Sequence, residues 1–152
     1  MPEPVNLLSL VHLVCLSLWG GLVVTESVIE LAPFRKRELH GPAIEFHYWI
    51  DLLVEGPLLA AVVASGLVLA LFTDLTALHA VKIALGGTAI AVNAVCLAVV
   101  VRRRRLLAQG APEDMLWTQS RRILLAFAVG LPAGLAAAVL GFTLAAARLR
   151  GA

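Results

Sequence analysis

Four stretches of this chain are each long and apolar enough to cross a lipid bilayer, and that feature restricts the fold more than any other. A membrane helix needs about 20 predominantly apolar residues. The stretches cover roughly residues 5–31, 43–72, 77–101 and 123–147 of 152. Inside hydrocarbon every backbone N–H and C=O must be satisfied within the protein, so such segments form helices. The expected fold is all-α, an integral membrane up-down four-helix bundle forming a single domain over 1–152. Hydrophobic residues make up 61% of the chain and charged residues 14%. An ordinary soluble domain carries about 25% charged residues, so this chain lacks the polar surface to coat a soluble globule. It is also too apolar to stay disordered. Two cysteines, Cys15 and Cys96, are too few for a disulfide-built secreted scaffold.

The breaks between spans are short. Pro33 and the run Arg35, Lys36, Arg37 close the first, Thr73-Asp74-Leu75-Thr76 separates the second from the third, and a polar stretch centred on Gly110 and Pro112 precedes the fourth. The first span has no basic residue ahead of it and is too long for a cleaved signal peptide. Basic residues gather in the first and third breaks, with Arg102, Arg103, Arg104, Arg105, Arg121 and Arg122 in the third. By the positive-inside rule these two loops are expected on the cytoplasmic side and both termini outside, with Arg148 and Arg150 the only basic residues there. Read as a topology signal, the arginine clusters give no reason to expect nucleic acid as a partner. The expected location is a bacterial inner membrane, crossed several times. The lipid bilayer is then the first partner, with a homo-oligomer or a larger membrane complex as further options.

Ionisable residues inside a span are costly and point to function. The first span carries His12, Glu26 and Glu30; with Trp19 they are spaced seven, seven and four apart, which places them on one helix face. The second span carries Glu45, His47, Asp51 and Glu55, the last three in steps of four. In the third, His79, Lys82, Gly86, Ala89, Asn93 and Cys96 share a stripe. The fourth offers Gly130, Gly134 and Gly141, which suit close helix packing. Stripes of this kind face inward. At about 1.5 Å rise per residue, Glu26 lies roughly 8 Å inside the cytoplasmic end of its span, and His47 and Asp51 roughly 6 and 12 Å inside theirs. Glu55 is near mid-membrane, and His12, His79 and Lys82 belong to the outer half.

Carboxylates with one imidazole suit first-row metals such as iron, manganese or zinc. The leading expectation is a metal site at Glu26, Glu30, His47 and Asp51, with Glu55 as an additional or supporting ligand and Asn93 orienting a ligand or a water. With a redox-active metal the protein would be a small membrane oxidoreductase. A structural polar network is the bland alternative. A second alternative is haem held axially by His12, with His79 opposite if their helices are adjacent; Lys82 would then lie near a propionate, where otherwise it pairs with a carboxylate such as Glu55 or snorkels outward, and Trp19 would pack or stack on the cofactor. An ion or proton transporter running from His12 through Glu55 to Glu26 is a third, and a structural subunit a fourth.

Two segments carry a family likeness. Leu10-Val11-His12-Leu13-Val14 with Trp19-Gly20-Gly21 resembles the first helix of the small bacterial membrane protoporphyrinogen oxidases, the haem-binding HemJ type. The stretch Leu78-His79-Ala80-Val81-Lys82-Ile83-Ala84-Leu85 resembles the start of that family's third helix. The related copper-resistance D membrane proteins have similar His-bearing helices. The resemblance implies a four-helix membrane bundle, with His12 matching the haem ligand and Lys82 the intramembrane lysine. The second helix differs. Where the family has an arginine-containing start, this chain has His47, Asp51 and Glu55, an acidic run that favours a metal cation over a porphyrin carboxylate.

Overall fold

The computed structural model describes residues 3–150, with side chains from 7 to 147. Helix α1 (Glu3–Leu31) leads through two single turns of 3-10 helix, Ala32–Phe34 and Arg37–Leu39, into the second span. That span is one rod in three parts: α2 (His40–Ile50), a π-helical turn over Asp51–Glu55, and α3 (Gly56–Leu71). Then follow α4 (Ala77–Ala108) and α5 (Glu113–Arg150). The described residues contain no strand. Four helices are long and apolar enough to cross a membrane, the architecture of a multi-pass membrane protein.

The helices outrun the apolar stretches that announce them. α4 continues past 101 to Ala108, and α5 begins at Glu113 rather than near 123. Arg, Leu, Ala and Gln are strong helix formers, so the helix persists where the hydrophobic pattern stops. At about 1.5 Å per residue α4 is about 48 Å long, well beyond the roughly 30 Å of a bilayer's hydrocarbon. The second span likewise starts at His40, three residues before the apolar run. The side chains of Arg148 and Arg150, invoked for orientation, lie outside the described ones.

Neighbours in sequence are neighbours in space. α1 packs on α3 and α5, and α4 packs on α5 and α2. The four spans therefore form a ring in chain order, with the first and third across a diagonal. The α4–α5 contact is the most extensive, and small residues make it close: a Cβ on Gly130 would stand 3.1 Å from Val92 Cγ1. Leu18, Val28, Leu53, Leu67, Val95 and Leu125 point outward and are exposed, as lipid-facing side chains should be. The interior is polar along part of its length. Trp19, Val23, Ala89, Cys96, Val100, Ile123 and Phe127 form an apolar core, and beside it His12, Glu26, Glu30, His47, Asp51, Glu55 and Arg103 are buried.

The π turn has local causes. Pro57 has no N–H to offer the Leu53 carbonyl, and its ring crowds that carbonyl; a wider turn just before it relieves both problems. Gly56 makes the turn possible, because a Cβ there would lie 3.1 Å from the Asp51 carbonyl oxygen. In an α-helix each step of four residues overshoots a full turn by about 40°. The wider π turn takes back part of that drift. His47, Asp51 and Glu55 consequently all stay buried on the inner face.

Candidate metal centre

The site is built from three helices near the arginine-rich end of the bundle. α1 supplies Glu26 and Glu30, one turn apart. α2 and the π turn supply His47, Asp51 and Glu55, and α4 supplies Arg103. All six side chains are between 0% and 4% exposed.

Glu26, His47 and Asp51 come together: one ligand atom from each lies within 4.8 Å of the others. His47 Nε2 and Asp51 Oδ1 are 3.4 Å apart. An ion with ligands at about 2.1 Å in tetrahedral array separates its donors by about 3.4 Å, so the pair already has a suitable edge. With the three carboxyls ionised, none of these atoms has a hydrogen-bond partner; Glu26, Asp51 and Glu55 lie within hydrogen-bonding reach of one another. Both oxygens of Glu26, Nε2 of His47 and Oδ1 of Asp51 are fully buried and unpartnered. Among the described residues the other such atoms are Arg103 Nε and Gln119 Oε1. An orphaned buried polar atom carries a penalty of about 1–3 kcal/mol, more when charged. Four such atoms converge here, from residues whose donor types could hold a metal ion.

The groups behind the cluster set its geometry. Glu30 is occupied elsewhere. Its two oxygens take a two-pronged ion pair from Arg103, Nη1 to Oε1 and Nη2 to Oε2, the latter at 2.9 Å. Oε2 also accepts from His47 Nδ1 at 2.8 Å. A carboxylate so paired only accepts, so the Nδ1 hydrogen is on His47, and in the neutral ring the lone pair is on Nε2, the atom facing Glu26 and Asp51. Carboxylate-to-imidazole support of this kind is the usual second layer of a histidine metal site. Glu30, expected as a direct metal ligand, has both oxygens engaged by Arg103 and His47 in this structure. Phe127 holds the other side of the imidazole, stacked at 5.9 Å between ring centroids and 17° between planes.

The chain of contacts continues toward the arginine-rich end. Arg103 Nη1 donates to Ser120 Oγ at 2.8 Å, and that hydroxyl meets His40 Nε2 at 3.1 Å. His40 stacks on Trp117 with ring centroids 4.2 Å apart. Sequence reasoning assigned Arg103 to topology along with its three neighbours. Arg102 and Arg105 are exposed and Arg104 is half-buried, reaching Glu45 at 3.3 Å, but Arg103 is fully buried. A signal was present: Arg103 lies seven residues after Cys96, so the inward stripe of α4 reaches it. Ser120 and His40 were missed for want of any motif.

On the other side of the cluster, Trp19 Nε1 donates to Glu55 Oε1 at 2.8 Å. Trp19, expected to pack or to stack on a cofactor, packs in the apolar core and donates to a carboxylate. Glu55 borders both Glu26 and Asp51. A cavity of ≈ 490 Å³ between α3 and α4 is lined by Asp51, Glu55 and Asn93, with small and apolar side chains along the rest.

The outer residues form a separate group. His12 Nδ1 meets Ser65 Oγ at 2.9 Å, and that hydroxyl donates back to the helix at the Ala61 carbonyl, 2.5 Å away. The imidazole packs tightly on Gly66, where a Cβ would stand 3.1 Å from His12 Cε1. His12 and Lys82 share a cavity of ≈ 280 Å³. His79 is not across from His12. It sits at the first turn of α4 and closes a capping box, with Thr76 Oγ1 2.8 Å from its Nδ1. Its atoms answer the open N–H groups of a helix end, and the first and third spans are diagonal rather than adjacent, so the paired-histidine haem expectation has no geometric support.

Comparisons of the chain with protein-family models, with curated proteins and with solved structures give no match.

Proposed function

We propose that the chain is an integral membrane metalloprotein in which Glu26, His47 and Asp51 hold a divalent first-row ion, iron, manganese or zinc. The carrying observation is the convergence of four buried, unpartnered donor atoms from these three side chains. Two carboxylates and one imidazole match the ligand preferences of those ions. Bound there, such an ion supplies Lewis-acid or one-electron chemistry, which makes a small membrane oxidoreductase the natural enzymatic form. The chain's own residues do the rest. Glu30 keeps a proton on His47 Nδ1 and leaves Nε2 to ligate. Arg103 holds Glu30 in place. Trp19 holds Glu55 at the border, and the apolar core keeps bulk water away.

The test is elemental analysis of full-length protein purified in detergent without chelator. Near-stoichiometric metal is expected in the parent and in His12→Ala, with loss in His47→Ala and in Asp51→Ala while circular dichroism stays unchanged. Metal content unaffected by both losses would overturn the assignment. So would a Soret band that disappears in His12→Ala with no metal at the carboxylates, which would move the function to haem.

A further inference from the structure

The cluster holds more acid than one ion can answer. Four carboxylates, Glu26, Glu30, Asp51 and Glu55, are buried in the spans with one buried guanidinium, Arg103. Glu30 and Arg103 neutralise each other as a close pair. Glu26, Asp51 and Glu55 are left, each bordering the other two. Three neighbouring carboxylates in a medium of low dielectric repel strongly, and burying unpaired charge costs several kcal/mol per ion.

The donor atoms also exceed the needs of a single site. Glu26 has two unpartnered oxygens, but only one ligand atom of each residue is needed to form the His47–Asp51–Glu26 group. Its second oxygen is as buried and as orphaned as the first. Glu55 uses Oε1 on Trp19 and lies beside Glu26 and Asp51. The space on this side exists too, since Asp51, Glu55 and Asn93 line the ≈ 490 Å³ cavity between α3 and α4.

We infer that the site takes two divalent ions, the second held by Glu26, Asp51 and Glu55, with Glu26 and Asp51 shared between the pair. This rests on the metalloprotein reading above and extends it. The two positions differ in kind. The first has an imidazole nitrogen and lies behind Phe127. The second is all oxygen and faces the cavity, with the Asn93 amide as the remaining polar group there. An all-oxygen set suits manganese or ferrous iron rather than zinc, and the open side leaves positions for water. The second ion therefore binds more weakly and exchanges faster than the first.

The experiment is a manganese titration of chelator-stripped, full-length protein in detergent, read as bound ion per chain and by electron paramagnetic resonance. Two ions per chain are expected, the weaker step accompanied by loss of the isolated-ion signal as the two spins couple. In Glu55→Gln one ion per chain should remain, with the uncoupled signal. Trp19→Phe, which removes the hydrogen bond to Glu55 together with some core packing, should keep both ions and weaken the second. One ion per chain in the parent, or two in Glu55→Gln with coupling intact, overturns the pair and leaves the single site standing. No bound ion in the parent overturns the metalloprotein reading and the pair with it. Should Glu55→Gln fail to fold, the parent's stoichiometry and spin coupling decide alone.

Discussion

Arg103 stands in a run of four arginines, and its side chain alone among them is fully buried. Position in the run is uninformative; position on the helix face is decisive. Ala89, Cys96, Val100 and Arg103 are the buried residues of α4, spaced seven, four and three apart, and so belong to one side of the helix. Removing one partner of a buried ion pair strands the other, at about 3–5 kcal/mol. Arg103→Met should therefore unfold far more easily than the parent in thermal denaturation in detergent. Adding Glu30→Gln to it should recover a large part of the loss, because the stranded charge disappears. Additive losses in the double variant would show that the two residues do not act as a pair. The same substitution unfastens His47, so metal content should fall in the double variant even as stability returns.

At the scale of elements, the π turn decides which side chains can meet. Its Gly56-Pro57 sequence is plain in the chain, but a Gly-Pro pair within an apolar run has several outcomes: a kink, a break or a widened turn. Gly56→Ala should favour a regular α-helical turn, since its Cβ would press on the Asp51 carbonyl. The helix would persist, Glu55 would swing away from Asp51, and metal affinity should drop by roughly 10–100-fold, the range seen when supporting groups are disturbed. Unchanged affinity in a titration with helical content preserved would remove the π turn from the account. The spans themselves were legible, because about 20 apolar residues in a row have one structural outcome in lipid. So was the inward face of α1, where the spacing of His12, Trp19, Glu26 and Glu30 matches the helical period. The partners were not legible. That Glu30 meets Arg103, that Trp19 meets Glu55 and that His12 meets Ser65 depends on which spans touch and at what height, and no residue pattern within a single span encodes that. His79 shows the converse: its place on a polar stripe suggested a ligand, while its place three residues after Thr76 made it a cap.

For the whole molecule, charge and length suggest how the bundle is seated. The basic residues of the first and third turns gather at one end, together with the Arg103 side of the carboxylate-histidine cluster, and Asp74 lies at the other end. The positive-inside rule puts the arginine-rich end in the cytoplasm. A cysteine introduced at Gln109 should be shielded from a membrane-impermeant maleimide in spheroplasts and labelled after lysis. One introduced at Asp74 should be labelled without lysis. The opposite pattern would invert the protein and place the cluster nearer the outer face.

The pairing of Glu30 with Arg103 also has a history in time. The two residues are 73 positions apart. At roughly 5–20 residues per second of synthesis, the arginine follows the glutamate by about 4–15 s. During that interval the first two spans already carry Glu26, Glu30, Asp51 and Glu55; an acidic group at a helix centre, where Glu55 lies, resists insertion by about 2.5–3.5 kcal/mol, and the others add smaller penalties nearer the helix end. A hairpin of the first two spans is thus a poor passenger for lipid on its own. It has to wait beside water or inside the insertion machinery until the third span arrives with its guanidinium, so the nascent chain commits to the bilayer as a trio rather than helix by helix.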